Sequence, residues 1–261
     1  MQVLESVAVW NSSKIKGIFH QDQLPMNERQ ATSWLIDLNL VNLPELTYIW
    51  KGAKHSATLQ NLKLLYIWGC KKLKAIFSSA VARSLPQLKI LVALQCDALE
   101  QIIEDDEEHE NAIYFSKLKL ILVTQCNNLK RLFYVSAPHE FPELEYLIIN
   151  QDPNLEKVFE CQKGVREDDV EVSLPQLKHV ILMQLPNLNN FSQGIEFKTL
   201  TNLFVHNCPK LSLTSTTTVE DMLQSYNHGT HYILIHVLMI WPSHQVHNSY
   251  NLLFQTGKLI S

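Results

Sequence analysis

The sequence predicts an α/β solenoid, with one curved parallel β-sheet on the concave face and irregular loops and short helices on the convex face. Three observations predict it. From Leu85 to Ile103 the apolar residues fall at 85, 88, 91, 93, 96, 99 and 102, so the steps are three, three, two, three, three and three. A helix repeats about every 3.6 residues and a strand every two, so no single regular element makes this pattern. The step of two, Leu91 to Ala93, is one inward pair of a short strand, and the threes are chain turning around a core. The second observation is that the pattern recurs eight times along the chain. The third is that a small residue, most often Cys, stands three positions after the strand in many copies. A unit of this kind cannot bury its own apolar edges and is stable only when stacked on copies of itself.

The copies run in order. Leu4-x-x-Val7-x-Val9-x-x-Ser12 opens the series and fits most loosely. Leu35-x-x-Leu38-x-Leu40-x-x-Leu43 and Leu62-x-x-Leu65-x-Ile67-x-x-Cys70 follow. After the Leu85 unit come Leu118-x-x-Ile121-x-Val123-x-x-Cys126 and Leu144-x-x-Leu147-x-Ile149-x-x-Asp152. Leu177-x-x-Val180-x-Leu182-x-x-Leu185 and Leu200-x-x-Leu203-x-Val205-x-x-Cys208 close it. The marker position falls at 12, 43, 70, 96, 126, 152, 185 and 208, at intervals of 23 to 33 residues. These are the spacing and pattern of a leucine-rich repeat with variable outer loops.

Local chemistry supports the coils. Leu85-Pro86, Phe141-Pro142 and Leu174-Pro175 each lead into a strand, where proline fixes the turn and blocks helix. Ser79 to Ser84 predicts one helical turn on the convex side. Residues 21–33 and Lys51 to Thr58 read as polar loops. Glu104 to Glu110 and Arg166 to Glu171 are charge-dense and read as solvated outer loops. The first coil would place Val7, Val9, Ile15, Ile18 and Phe19 on an open end, where a solenoid normally carries a polar cap. That predicts a further element ahead of Met1 in the parent gene.

The repeats end near Leu213, so the expected organisation is a solenoid over 1–218 and a non-repeat tail over 219–261. The tail either caps the last coil or stays disordered. Its histidines include His228-x-x-His231 and His244-x-x-His247, but no Cys or carboxylate cluster accompanies them, as a zinc site would need.

Bulk properties narrow the function. A net charge of −4 over 261 residues argues against a nucleic-acid binder, which normally carries a basic stripe. Five cysteines, four of them at the same repeat position, read as buried thiols in a reducing compartment. The N-terminus does not read as a signal peptide. The longest apolar run, Tyr232 to Trp241, is about half of what a membrane span needs. A soluble, cytoplasmic protein is expected. There is no phosphate loop, dinucleotide fingerprint, H-E-x-x-H or G-x-S-x-G, so no catalysis, cofactor, metal or small-molecule substrate is expected.

Strand alternation turns the residues between the inward pairs to the concave face. The partner-binding surface is therefore expected at Tyr66, Val92, Leu122, Ile148, Ile181 and Phe204 in a central column, with Trp68 and Leu94 one step on. This is apolar for a solvent-facing sheet, and such patches mark interaction surfaces. Tyr66, Trp68, Phe204 and Trp10 are the expected aromatic anchors.

The string L-P-Q-L-K-I-L-V-A-L-Q-C-D-A-L-E-Q-I-I-E-D-D-E-E from Leu85 to Glu108 resembles the C-terminal repeats of plant disease-resistance proteins of the coiled-coil, nucleotide-binding, leucine-rich-repeat family. So does L-Y-I-W-G-C-K-K-L-K-A-I-F from Leu65 to Phe77. The resemblance covers roughly residues 1–213. It implies a truncated, non-catalytic protein-binding module of plant immunity. The implied partner is a pathogen effector, a guarded host protein, or the nucleotide-binding domain of a parent receptor. The chain departs from the family in lacking the coiled coil and nucleotide-binding module, and in its tail. Two other readings compete: a substrate adaptor of a ubiquitin ligase, which would want an N-terminal helical box, and a receptor fragment without function of its own. A secreted ectodomain is a poorer fit, since only Asn11-Ser12-Ser13 and Asn190-Phe191-Ser192 match the glycosylation pattern.

Overall fold

The structure is a computed structural model, and it describes residues 5–20, 34–51, 59–104, 115–135, 141–161, 174–189, 191 and 199–212. All of these lie in one compact unit, Met1–Ser215. The histidine pairs, the acidic run after Glu104, the Arg166 to Glu171 run and the 219–261 tail lie outside the described residues.

The predicted sheet is present. Eight strands form one parallel sheet: β1 (Ser6–Trp10), β3 (Asp37–Val41), β5 (Leu64–Trp68), β7 (Ile90–Leu94), β9 (Leu120–Thr124), β11 (Tyr146–Asn150), β13 (His179–Met183) and β14 (Asn202–His206). They neighbour one another in chain order. The register never slips: Leu65 pairs with Leu91, Leu91 with Ile121, Ile121 with Leu147, Leu147 with Val180, and Val180 with Leu203. The inward pairs Leu38/Leu40, Leu65/Ile67, Leu91/Ala93, Ile121/Val123, Leu147/Ile149 and Val180/Leu182 are all fully buried. Burying one such side chain stabilises by about 1.5–3 kcal/mol, which makes this double row the main support of the fold. A slip by one residue would turn the row out to solvent, and that holds the register.

The turns on either side of each strand explain the steps of three. In the lead-in, the amide N–H of Leu88 donates to the carbonyl of Leu85, that of Leu144 to Phe141, and that of Leu177 to Leu174. Each is a β-turn with Pro at its second position, where its fixed φ is favourable. After the strand, Leu73 N–H donates to Cys70 O, Leu99 to Cys96, Leu129 to Cys126 and Leu155 to Asp152. The side chains on both ends of these turns point into the core.

The outer side differs in one respect from the expected irregular loops. Apolar segments that follow the post-strand turns form short strands: β2 (Gly17–His20), β4 (Tyr48–Lys51), β6 (Ala75–Phe77), β8 (Gln101–Ile103), β10 (Arg131–Val135) and β12 (Lys157–Cys161). They pair as three two-stranded parallel sheets, β2 with β4, β6 with β8, and β10 with β12. The fixed height of each coil brings successive backbones within ladder distance here as well. The predicted helical turn is α1 (Ser79–Arg83), and the hydroxyl of Ser78 caps it by accepting from Val81 N–H. Beneath these strands runs a phenylalanine stack. Phe77, Phe115, Phe133, Phe141, Phe159 and Phe191 follow one another at centroid distances of 4.9 to 5.9 Å. Phe77, Phe133 and Phe159 come from the outer strands, while Phe115 and Phe141 come from the lead-in turns, so the two series interdigitate.

Candidate functional site

The strand face away from the core carries three columns. Tyr66, Val92, Leu122, Ile148, Ile181 and Phe204 occupy the central one, in unbroken register from β5 to β14. Trp68 and Leu94 pair in the next column, which continues through Thr124, Asn150 and Met183 to His206. The structure thus brings together all eight residues expected of a partner surface. It also adds a finding that alternation alone does not reveal. The six central residues and Leu94 are only 1 to 9% exposed, whereas Trp68 is half-buried and Trp10, at the open edge strand, is 55% exposed. Three polar atoms on this face, Asn39 Oδ1, Thr124 Oγ1 and Asn150 Oδ1, are buried and have no hydrogen-bond partner among the described residues. In the first column Tyr146 stacks on His179 at 4.6 Å, and Asn202 Nδ2 lies 2.8 Å from His179 Nδ1.

The end of the sheet carries a second feature that the sequence reading missed. Every strand of the sheet runs into one residue with positive φ: Asn11, Asn42, Gly69, Gln95, Gln125, Gln151, Gln184 and Asn207. The left-handed region disfavours ordinary side chains and tolerates Gly and Asn best. Each such residue keeps the ladder going: Gln95 N–H donates to Thr124 O, Gln125 to Asn150 O, Gln151 to Met183 O and Gln184 to His206 O. Their side-chain amides form a ladder of their own. Trp68 Nε1 donates to Gln95 Oε1 at 2.8 Å, Gln95 Nε2 to Gln125 Oε1 at 2.9 Å, and Gln125 Nε2 to Gln151 Oε1 at 2.6 Å. Asn42 Nδ2 likewise donates to Asn11 Oδ1 at 2.8 Å. The amides line an open groove of about 790 Å³, together with Asn127, Pro153 and Pro186. The sequence did hold a signal for it. An amide or glycine precedes the marker position in every copy, but it does not register in a search for apolar periodicity.

The core side of the same turn is a column of thiols. Cys70, Cys96, Cys126 and Cys208 are free and buried. Cys96 Sγ lies 3.4 Å from Leu94 O, and Cys208 Sγ 3.5 Å from His206 O. Hydrogen bonding to the Cys96 thiol, and then burial, push the Cys70 thiol far above its ordinary range, and burial raises Cys208. These thiols are packing groups. Asp152 takes the same place one coil on. Nearer the solvent, burial raises the Glu145 carboxyl, but Lys178 at 2.9 Å and Lys119 at 3.4 Å outweigh it and hold the group below its usual range.

Regular coils, a fixed two-residue inward pair and one turn residue per strand define a leucine-rich-repeat solenoid, a class that works by presenting a surface. Comparison with known families identifies which one. A family described as "Plant disease resistance protein RPS2-like, leucine-rich repeats" matches residues 1–97 and 94–227, and the chain belongs to it. No curated protein and no solved structure matches. Among the described residues, no helix is long and apolar enough to cross a membrane.

Proposed function

We propose that this chain is a non-catalytic recognition surface of plant innate immunity, acting in the cytoplasm. It engages a pathogen effector or a guarded host protein, or packs on the nucleotide-binding domain of a receptor to hold it inactive. The family match over most of the chain carries this reading. Leucine-rich-repeat proteins generally bind other proteins, and the apolar columns suit that role. Half-buried Trp68 is the residue a partner reaches first, backed by Tyr66, Val92 and Leu94. Leu122, Ile148, Ile181 and Phe204 form the bed behind it, and a partner reaches them only if the face opens.

The test is co-expression in leaf tissue with the nucleotide-binding module of an RPS2-like receptor, read by split luciferase and by suppression of cell death. Association that weakens on Trp68→Ala but not on Lys72→Ala, with the melting temperature unchanged, is the expected result. Lys72 sits apart from the face, paired with Glu45 at 2.8 Å. Absence of association, or equal signals from both variants, rejects the autoinhibitory form of the proposal. Recognition of an effector or a host protein is tested by the same variants against candidate partners.

A further inference from the structure

We propose that the amide groove beside the sheet binds an extended polypeptide in the polyproline II conformation. This goes beyond the reading above and does not depend on it, because no residue of the apolar columns lines the groove, although Trp68 bonds to Gln95 at its edge.

The polarity of the ladder is settled by one group. An indole N–H donates and cannot accept, so Gln95 must turn its Oε1 toward Trp68. Its Nε2 then faces Gln125, and Gln125 in turn must offer Oε1 to it and Nε2 to Gln151. The amide orientations follow from this network. From Trp68 to Gln151 every rung points its donors the same way, toward the later coil. Each ladder nitrogen carries two hydrogens and spends one on the next rung, so the ladder leaves the second unused. Gln151 ends the run with its amide nitrogen unused by the ladder. Gln184 and Asn207 continue the row with amides that bond no other side chain among the described residues. The groove is therefore lined by side-chain amides whose N–H groups the ladder does not exhaust, one per coil from Gln95 to Asn207. Pro153, Pro186, Asn127, Lys71 and Asp97 complete its lining.

A ligand that fits must offer acceptors at the matching spacing. Two coils rise about 9.6 Å, since parallel strands are ~4.8 Å apart. A polyproline II helix turns once in three residues and rises about 9.3 Å in doing so, with its carbonyls unpaired and solvated. Every third carbonyl thus meets every second coil. An extended β-strand repeats about every 6.6 Å and falls out of step by the next coil. Five coils span roughly 19 Å, which takes about six residues of polyproline II. The groove lacks a basic stripe, so phosphate-driven binding is not favoured, and proline rings on both partners supply apolar contact without competing N–H groups.

The experiment titrates the full chain into a fluorescein-labelled nonaproline, followed by polarisation, with a Gly-Ser nonamer as control. Saturable binding of nonaproline, at least about tenfold tighter than the control and little changed by salt, is expected. The variant Gln151→Gly/Gln184→Gly removes two donors and suits the positive φ at both positions, as Gly69 does in its own coil. It should keep its cooperative melt and bind about tenfold more weakly or worse. Two-dimensional NMR should show the glutamine side-chain amide signals moving with nonaproline. No binding, equal binding of the two peptides, or binding unaffected by the double variant overturns the proposal.

Discussion

Asp152 Oδ1 accepts the backbone N–H of Cys126 at 2.6 Å, in the place where the preceding coil puts a thiol. The carboxyl is fully buried, and its Oδ2 has no partner among the described residues. Burial raises its pKa from the ordinary 3.8 to about 7, against the opposing pull of the Cys126 and Asn150 backbone N–H groups. The folded chain therefore holds this proton more tightly than the unfolded chain. The stability it contributes is fully present below about pH 4, is lost as pH rises toward 7, and is flat above that. The loss is on the order of 2–4 kcal/mol at its largest. Asp152→Asn keeps an acceptor for Cys126 and cannot ionise. Its urea midpoint should exceed the wild-type value at pH 8, and the advantage should vanish near pH 4. An advantage that does not change with pH would show that Asp152 does not titrate in the folded state.

The thiol column predicts chemical silence. Cysteine reacts as thiolate, and Cys70, Cys96 and Cys208 all have raised pKa values in buried surroundings. In the native chain an aromatic disulfide reagent at pH 8 should label at most one of the five cysteines, and all five in urea. Rapid native labelling of two or more would mean that the coils open locally.

Gly69 is the only turn glycine in the row of positive-φ residues, at φ +67°, and an added Cβ would sit 3.4 Å from Asn42 Cα. Gly69→Ala meets the unfavourable backbone region, while its Cβ would make only ordinary contact with Asn42. It should cost about 1–2 kcal/mol. Gly69→Asn should cost less, because Asn tolerates this region and stands there in the preceding coil. Equal melting temperatures for the two variants would contradict this ordering.

The sequence made the coil legible and left the solvent-facing consequences obscure. Leu65, Ile67 and Cys70 announce a fold because burial demands apolar residues at a fixed spacing. The same logic placed Tyr66 and Trp68 on one face correctly. Period alone could not tell that Tyr66 would be 5% exposed, since alternation assigns a face and not its exposure. The amide ladder was invisible for a different reason. Gln95 and Gln125 meet only when their coils are stacked, 30 residues apart in sequence. The phenylalanine stack was half legible: Phe77 and Phe133 fell on the repeat, while Phe115 and Phe141 entered from a turn that carries Leu at Leu85 and Leu174.

Phe115 offers the sharpest measure of that stack. It is fully buried and touches Phe77, Phe133 and Phe141 at centroid distances of 5.7, 5.9 and 6.3 Å. It links aromatic rings contributed by coils on both sides of it. Phe115→Ala removes the ring and leaves a cavity, at a cost of about 3–5 kcal/mol. Phe115→Leu restores the residue that the equivalent turns carry at Leu85 and Leu174, and should cost about 1–2 kcal/mol. A solenoid couples each coil mainly to its neighbours, so a large loss here should also uncouple the two halves. Denaturation of Phe115→Ala should then show two transitions where wild type shows one. A single sharp transition at an unchanged midpoint would mean that the inward leucine pairs alone hold the coils together.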